Sequence, residues 1–176
     1  MKESFTEILT GCFKRYFPLL MALLFVLISF VPIHLPSWHI LKPDFAIIFL
    51  YFWALYRSDL FGIVSVIILG LAVDSLSGAP FGMNIIVFVF AYILTLRYAN
   101  YVNVKPFFIS WVGFAFVCFI SFFLKWILFS VYYKTFLSFL HILINCAETI
   151  LIYPLIARLN MYVQNEFLGG DEILDE

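Results

Sequence analysis

The sequence predicts an all-α integral membrane protein, a bundle of about six transmembrane helices preceded by an amphipathic helix lying at the membrane surface. Three observations predict it. The chain of 176 residues is 65% hydrophobic and only 12% charged, with a mean hydropathy of +1.07, whereas a soluble domain is about 25% charged. Its apolar runs approach the roughly 20 residues needed to cross a bilayer and are separated by short polar breaks. Its basic residues divide unevenly between alternate loops, as the positive-inside bias requires.

The elements follow in order. In residues 1–16, Phe5, Ile8, Leu9, Cys12, Phe13 and Tyr16 recur at helical spacing. Lys2, Glu3, Glu7, Lys14 and Arg15 lie mostly off that stripe, which predicts an interfacial helix on the cytoplasmic face. The spans are expected at 17–35, 44–56, 60–76, 85–98, 107–126 and 136–159, together forming one transmembrane domain over 17–159. The second is short, but Pro43 and Asp44 make a good helix start. Its apolar run is cut by Arg57-Ser58-Asp59, and the segment 75–82 is rich in Gly, Pro and Ser, the chemistry of a turn. Residues 160–176 are expected to form an acidic cytoplasmic tail. The first apolar run starts only at Phe17 and exceeds the h-region of a cleaved signal, so none is expected.

With the N-terminus inside, six spans place Lys2, Lys14, Arg15, Arg57, Arg97, Lys105 and Arg158 on the cytoplasmic side. Only Lys42, Lys125 and Lys134 fall outside. Making the second segment re-entrant would move every later loop across the membrane and erase the bias, so both termini are expected inside. Trp38, Trp53, Trp111 and Trp126 fall near the expected span ends, as an aromatic belt requires.

Several function classes are excluded. A net charge of −1 offers no basic field for nucleic acid. Cys12, Cys118 and Cys146 show no metal-type spacing and read as small apolar residues. No internal repeat supports an inverted-repeat transporter. Ser75-Leu76-Ser77-Gly78 lacks the leading glycine of an intramembrane serine protease, and no zinc or phosphate-binding motif occurs. A non-enzymatic protein without metal or cofactor is expected.

Ionisable and polar groups inside spans are costly and therefore stand out. Ser138, His141, Asn145 and Glu148 line up along the sixth span. They read either as an interior hydrogen-bonded seam or as a contact for a ligand or partner. Lys125, beside Trp126, is expected to extend its ammonium to the headgroups rather than to pair with Glu148. At the outer end of the third span, Asp74, Gly78, Gly82 and Asn84 surround the turn. They read as capping and turn chemistry or as a contact site.

Residues 42–98 resemble a known family, the rod shape-determining membrane protein MreD. The start Lys42-Pro43-Asp44, the run Tyr51-Phe52-Trp53-Ala54-Leu55-Tyr56-Arg57, and Gly62 are similar to that family. So are Gly70-Leu71-Ala72-Val73-Asp74, then Gly78, Gly82 and Asn84, and later Tyr153-Pro154-Leu155. The resemblance implies a multi-pass protein of the bacterial cytoplasmic membrane, a scaffold of the cell-wall elongation machinery that binds MreC. Through MreC it would join MreB filaments, RodA and the elongation-specific transpeptidase in shaping the cell and building peptidoglycan. It also implies a fold similar to the substrate-binding subunit of energy-coupling-factor transporters. That likeness keeps an alternative in view, a vitamin-type binding subunit using Asp74, Asn84 and His141, because fold does not dictate function.

Overall fold

The computed structural model describes residues 5–31, 43–99, 107–134 and 138–168. Six helices follow one another: α1 (Phe5–Phe30), α2 (Phe45–Tyr56), α3 (Ile63–Ser77), α4 (Met83–Ala99), α5 (Phe107–Tyr133) and α6 (Phe139–Leu168).

The shortest helix occupies the centre. Asp44 caps α2 by accepting the Ile47 N–H at 3.4 Å, and the Arg57 N–H closes its other end on the Trp53 carbonyl at 2.9 Å. Every residue from Ala46 to Ala54 is buried, so the helix is apolar all round and packs on all five others. Phe25 of α1 sets its ring against Phe45 and Phe49, with centroids 5.9 and 4.8 Å apart. α3 and α4 form a tight antiparallel pair, α5 packs on α4, α6 on α5, and α1 on α3.

Polar contacts fix the inner faces. The Tyr51 hydroxyl donates to the Ser110 carbonyl at 3.0 Å, and Ser110 Oγ lies 3.2 Å from the Tyr153 hydroxyl, joining α2, α5 and α6. Tyr153 stacks on Phe114 with centroids 4.1 Å apart. Two glycines allow close approach. A Cβ on Gly70 would lie 2.8 Å from Cα of Ile85, and one on Gly113 would lie 2.7 Å from the Tyr51 hydroxyl and closer still to the Tyr98 ring.

The surface is the reverse of a water-soluble one. On α5 the buried face includes Ser110, Gly113, Cys118 and Ser121, while Phe108, Val112, Phe116, Phe119, Phe123, Ile127 and Val131 are exposed. Small residues set among Phe114, Val117 and Phe122 on the inner face, with an outer face made of bulky apolar ones, suit packing in hydrocarbon; an aqueous surface rarely carries so continuous an apolar face. Among the described residues, 107–133 and 139–164 are each long and apolar enough to cross a bilayer, while the other apolar helical stretches are shorter.

The structure corrects several expectations. Residues 5–30, which take in the expected interfacial segment and most of the first span, form one helix through Pro18, where a proline removes one backbone hydrogen bond and crowds the carbonyl four residues back. Residues 32–42, with Trp38 and Lys42, and the side chains of the 5–13 stripe lie outside the described residues. Trp53 belongs to no surface belt: it is buried at the inner contacts of α2, and Trp111 donates to the Ile150 carbonyl at 3.0 Å. α5 runs on to Tyr133 and α6 to Leu168 with Pro154 inside it, so α6 continues through 160–168 of the segment expected as tail; 169–176 lie outside the described residues.

Candidate functional site

The α3–α4 turn gathers three of the four residues singled out there around one carboxylate. α3 ends at Gly78, whose φ of 66° is left-handed, a conformation glycine adopts without the cost borne by other residues. The chain then passes Pro80, and Gly82 takes φ 98° before α4 begins. Asp74, in the last turn of α3, reaches across this loop and is 1% exposed. Its Oδ2 accepts the Gly82 N–H at 2.7 Å, and its Oδ1 accepts both the Asn84 N–H at 3.0 Å and the Asn84 side-chain amide at 2.7 Å. The first N–H groups of a helix have no intrahelical acceptor and carry partial positive charge. A carboxylate donated by the preceding helix satisfies them, so Asp74 serves α4 as a cap from eight residues upstream. Gly78 ends α3 so that the chain can turn back toward the carboxylate.

This arrangement is a rigid bracket. The carboxylate is satisfied by backbone and amide donors, which suits it to hold shape. Asn84 Oδ1 is buried with no hydrogen-bond partner among the described residues. At the apex Phe81 is 75% exposed, displayed by a turn whose two sides are both held.

The four residues expected to line α6 are not brought together inside. Ser138 precedes the helix and is exposed, as is His141, while Asn145 and Glu148 are half-buried. The inner face of α6 carries Cys146, Thr149, Tyr153, Ile156, Ala157, Asn160 and Gln164 instead. The stacking of Tyr153 on Phe114 and the hydrogen bond from the Asp44 N–H to Thr149 Oγ1 at 3.1 Å set that rotation.

A second polar cluster escaped sequence reasoning. Lys125 Nζ pairs with Asp44 Oδ2 at 2.9 Å, the two side chains being 22% and 15% exposed. The lysine therefore turns inward to the cap of α2 rather than toward headgroups. A lysine and an aspartate 81 residues apart carry no local signal of pairing. The only available clue was that each interrupts an apolar run and requires a counter-charge. Nearby, Cys118 and Cys146 bring their sulfurs to 3.8 Å as buried thiols.

Comparison with known proteins places the chain. An uncharacterized protein of Rickettsia prowazekii (strain Madrid E) is 33% identical over 115 residues. The match covers 65% of this chain and 65% of that protein, so the chain spans less than two thirds of its relative. No solved structure matches it. Nothing among these findings supports the transport-subunit alternative; of the residues it would use, Asp74 and Asn84 bond to each other, and His141 is exposed. The sequence profile of the rod shape-determining protein MreD matches residues 13–163, a membrane family with a role in determining rod shape, and the chain belongs to it.

Proposed function

We propose that this protein is a non-enzymatic scaffold of the bacterial cell-wall elongation complex. It crosses the cytoplasmic membrane six times with both termini inside and binds MreC directly. MreB, RodA and the elongation-specific transpeptidase join through that complex, and peptidoglycan synthesis follows the scaffold's placement. Family membership supports the shape-determining role. The unequal distribution of Lys and Arg between alternate loops supports the orientation.

The single structural observation behind the contact surface is the bracket at the α3–α4 turn. Apolar area discriminates little between helices in lipid, so specific association depends on small residues and on polar groups held in place. Asp74 spends its hydrogen bonds on fixing the course of 78–84, which keeps one patch of the molecule constant for a partner. In this reading the turn faces outward and meets MreC where its membrane helix enters the periplasm.

Affinity capture of the tagged protein from native membranes in mild detergent tests this. Recovery of MreC with wall synthases is the expected outcome, and Asp74→Asn or Gly82→Ala should reduce the MreC recovered per amount of tagged protein captured. Undiminished capture by both variants would remove the turn from the interface. Absence of MreC from the unaltered protein's partners would overturn the scaffold reading itself.

A further inference from the structure

The Asp44–Lys125 pair lies outside the α3–α4 bracket, but the two meet through α4. Asn84 and Phe88 are four residues apart on that helix and share a face, and both are buried. Asn84 is held by Asp74. One turn further along, the Phe88 ring centroid lies 5.9 Å from Lys125 Nζ, and the Phe122 ring 5.8 Å from it, within range of a cation–π contact. The same ammonium holds Asp44 Oδ2 at 2.9 Å. The Asp44 N–H bonds Thr149 Oγ1 at 3.1 Å, and Thr149 in turn donates to the Asn145 carbonyl at 2.6 Å. One cation thus faces the first turns of α4 while fastened to the start of α2, and that start is fastened to α6.

The geometry points to Lys125 as a positioning residue for the α3–α4 turn. Through Phe88 it sets where α4 begins, and through Asp44 it ties that start to the seating of the central helix. Engagement of a partner at the turn then depends on how α2, α5 and α6 are seated, because Lys125 holds the start of α4 and the start of α2 together. This inference rests on the reading of the turn as a contact surface, although the mechanical link can be measured without any partner. The physical reason is specific. Without the ammonium, the Asp44 carboxylate has lost its counter-charge among apolar neighbours, and α2 must reseat or admit water. Phe88 loses the charge against which its ring packs. Asn84, one turn away, shares the displacement, and the short bonds from Asp74 to the turn tolerate little of it.

The test uses the full-length protein in nanodiscs with a nitroxide at Phe81→Cys, the exposed apex of the turn, and with Cys12→Ser. Cys118 and Cys146 are buried and are left in place. Lys125→Met should make the label more mobile, and Lys125→Arg, which keeps a cation for both Asp44 and Phe88, should leave the spectrum close to the original. Phe88→Leu, which keeps an apolar side chain but removes the ring, should also loosen the label. If Lys125→Met yields no folded protein, Phe88→Leu decides the matter. A label unchanged by Phe88→Leu, or by Lys125→Met in folded protein, overturns the inference.

Titration with purified MreC, run in parallel, separates the two readings. If the inference holds, Lys125→Met weakens MreC binding about fivefold or more, the usual span of coupling between sites. If the unaltered protein ignores MreC while the label still responds, the partner assignment falls and the link stands. If MreC binds the unaltered protein and Lys125→Met equally, the link carries nothing to the partner and the coupling is overturned.

Discussion

At the residue scale, the structure turns on a few side chains whose neighbours leave no substitute. Asp74 accepts three donors within 3.0 Å. Asn in its place offers one acceptor oxygen and sets an amide donor against an N–H, losing charge-assisted bonds worth about 1.5–3 kcal/mol each in folded proteins. Asp74→Asn should therefore unfold more readily, by about 2 kcal/mol, as read from thermal melting in detergent, and melting at the parent temperature would contradict the bracket. Gly113 is a packing constraint rather than a hinge. Its missing Cβ makes room for the Tyr98 ring and the Tyr51 hydroxyl, so Gly113→Ala should cost about 1–3 kcal/mol by overpacking. Sequence inspection found Asp74, Gly78, Gly82 and Asn84 because turn-forming residues and a charge ending an apolar run stand out. It passed over Gly113, since a glycine inside an apolar helix reveals nothing of what lies opposite.

At the scale of elements, α2 poses a physical problem that its partners solve. Twelve residues give a helix of about 18 Å, shorter than the roughly 30 Å of hydrocarbon in a bilayer. Asp44 satisfies its exposed N–H end, and Lys125 compensates the charge that the cap introduces. Breaking such a pair from one side commonly costs about 3–5 kcal/mol because a lone charge remains. Lys125→Met alone should thus destabilise the bundle more than Lys125→Met combined with Asp44→Asn, in melting measured under the same conditions; a double variant no more stable than Lys125→Met would show that the unpaired carboxylate carries no penalty. The α3–α4 pair depends on Gly70, whose backbone approaches Ile85. Gly70→Ala should push the helices apart, lengthen the reach from Asp74 to Gly82 and reduce MreC capture without touching the turn itself. The rotation of α6 shows why periodicity alone fell short. The row Ser138, His141, Asn145 and Glu148 has correct helical spacing, yet Tyr153 and Thr149 choose the inner face through contacts with α5 and α2.

At the scale of the molecule, a continuous outward display of Phe, Val, Leu and Ile, with Ser, Gly and Cys set among the inner apolar residues, is an arrangement that suits hydrocarbon. The protein should stay in the membrane pellet through an alkaline carbonate wash and be released only by detergent; release by the wash would overturn the reading of its surface.

The sequence by itself determined the helical class, the apolar character, the position of α2 behind Asp44 and the glycine-bounded turn after Asp74. These are local properties, written in composition, caps and breakers within a few residues of one another. Only the tertiary structure decided that the shortest helix lies at the centre, that Trp53 is internal and that Lys125 answers Asp44. It also decided which face of α6 turns inward. Each of those outcomes joins residues far apart in the chain. A contact of that kind depends on how whole helices settle against one another, and no spacing along a single helix encodes it.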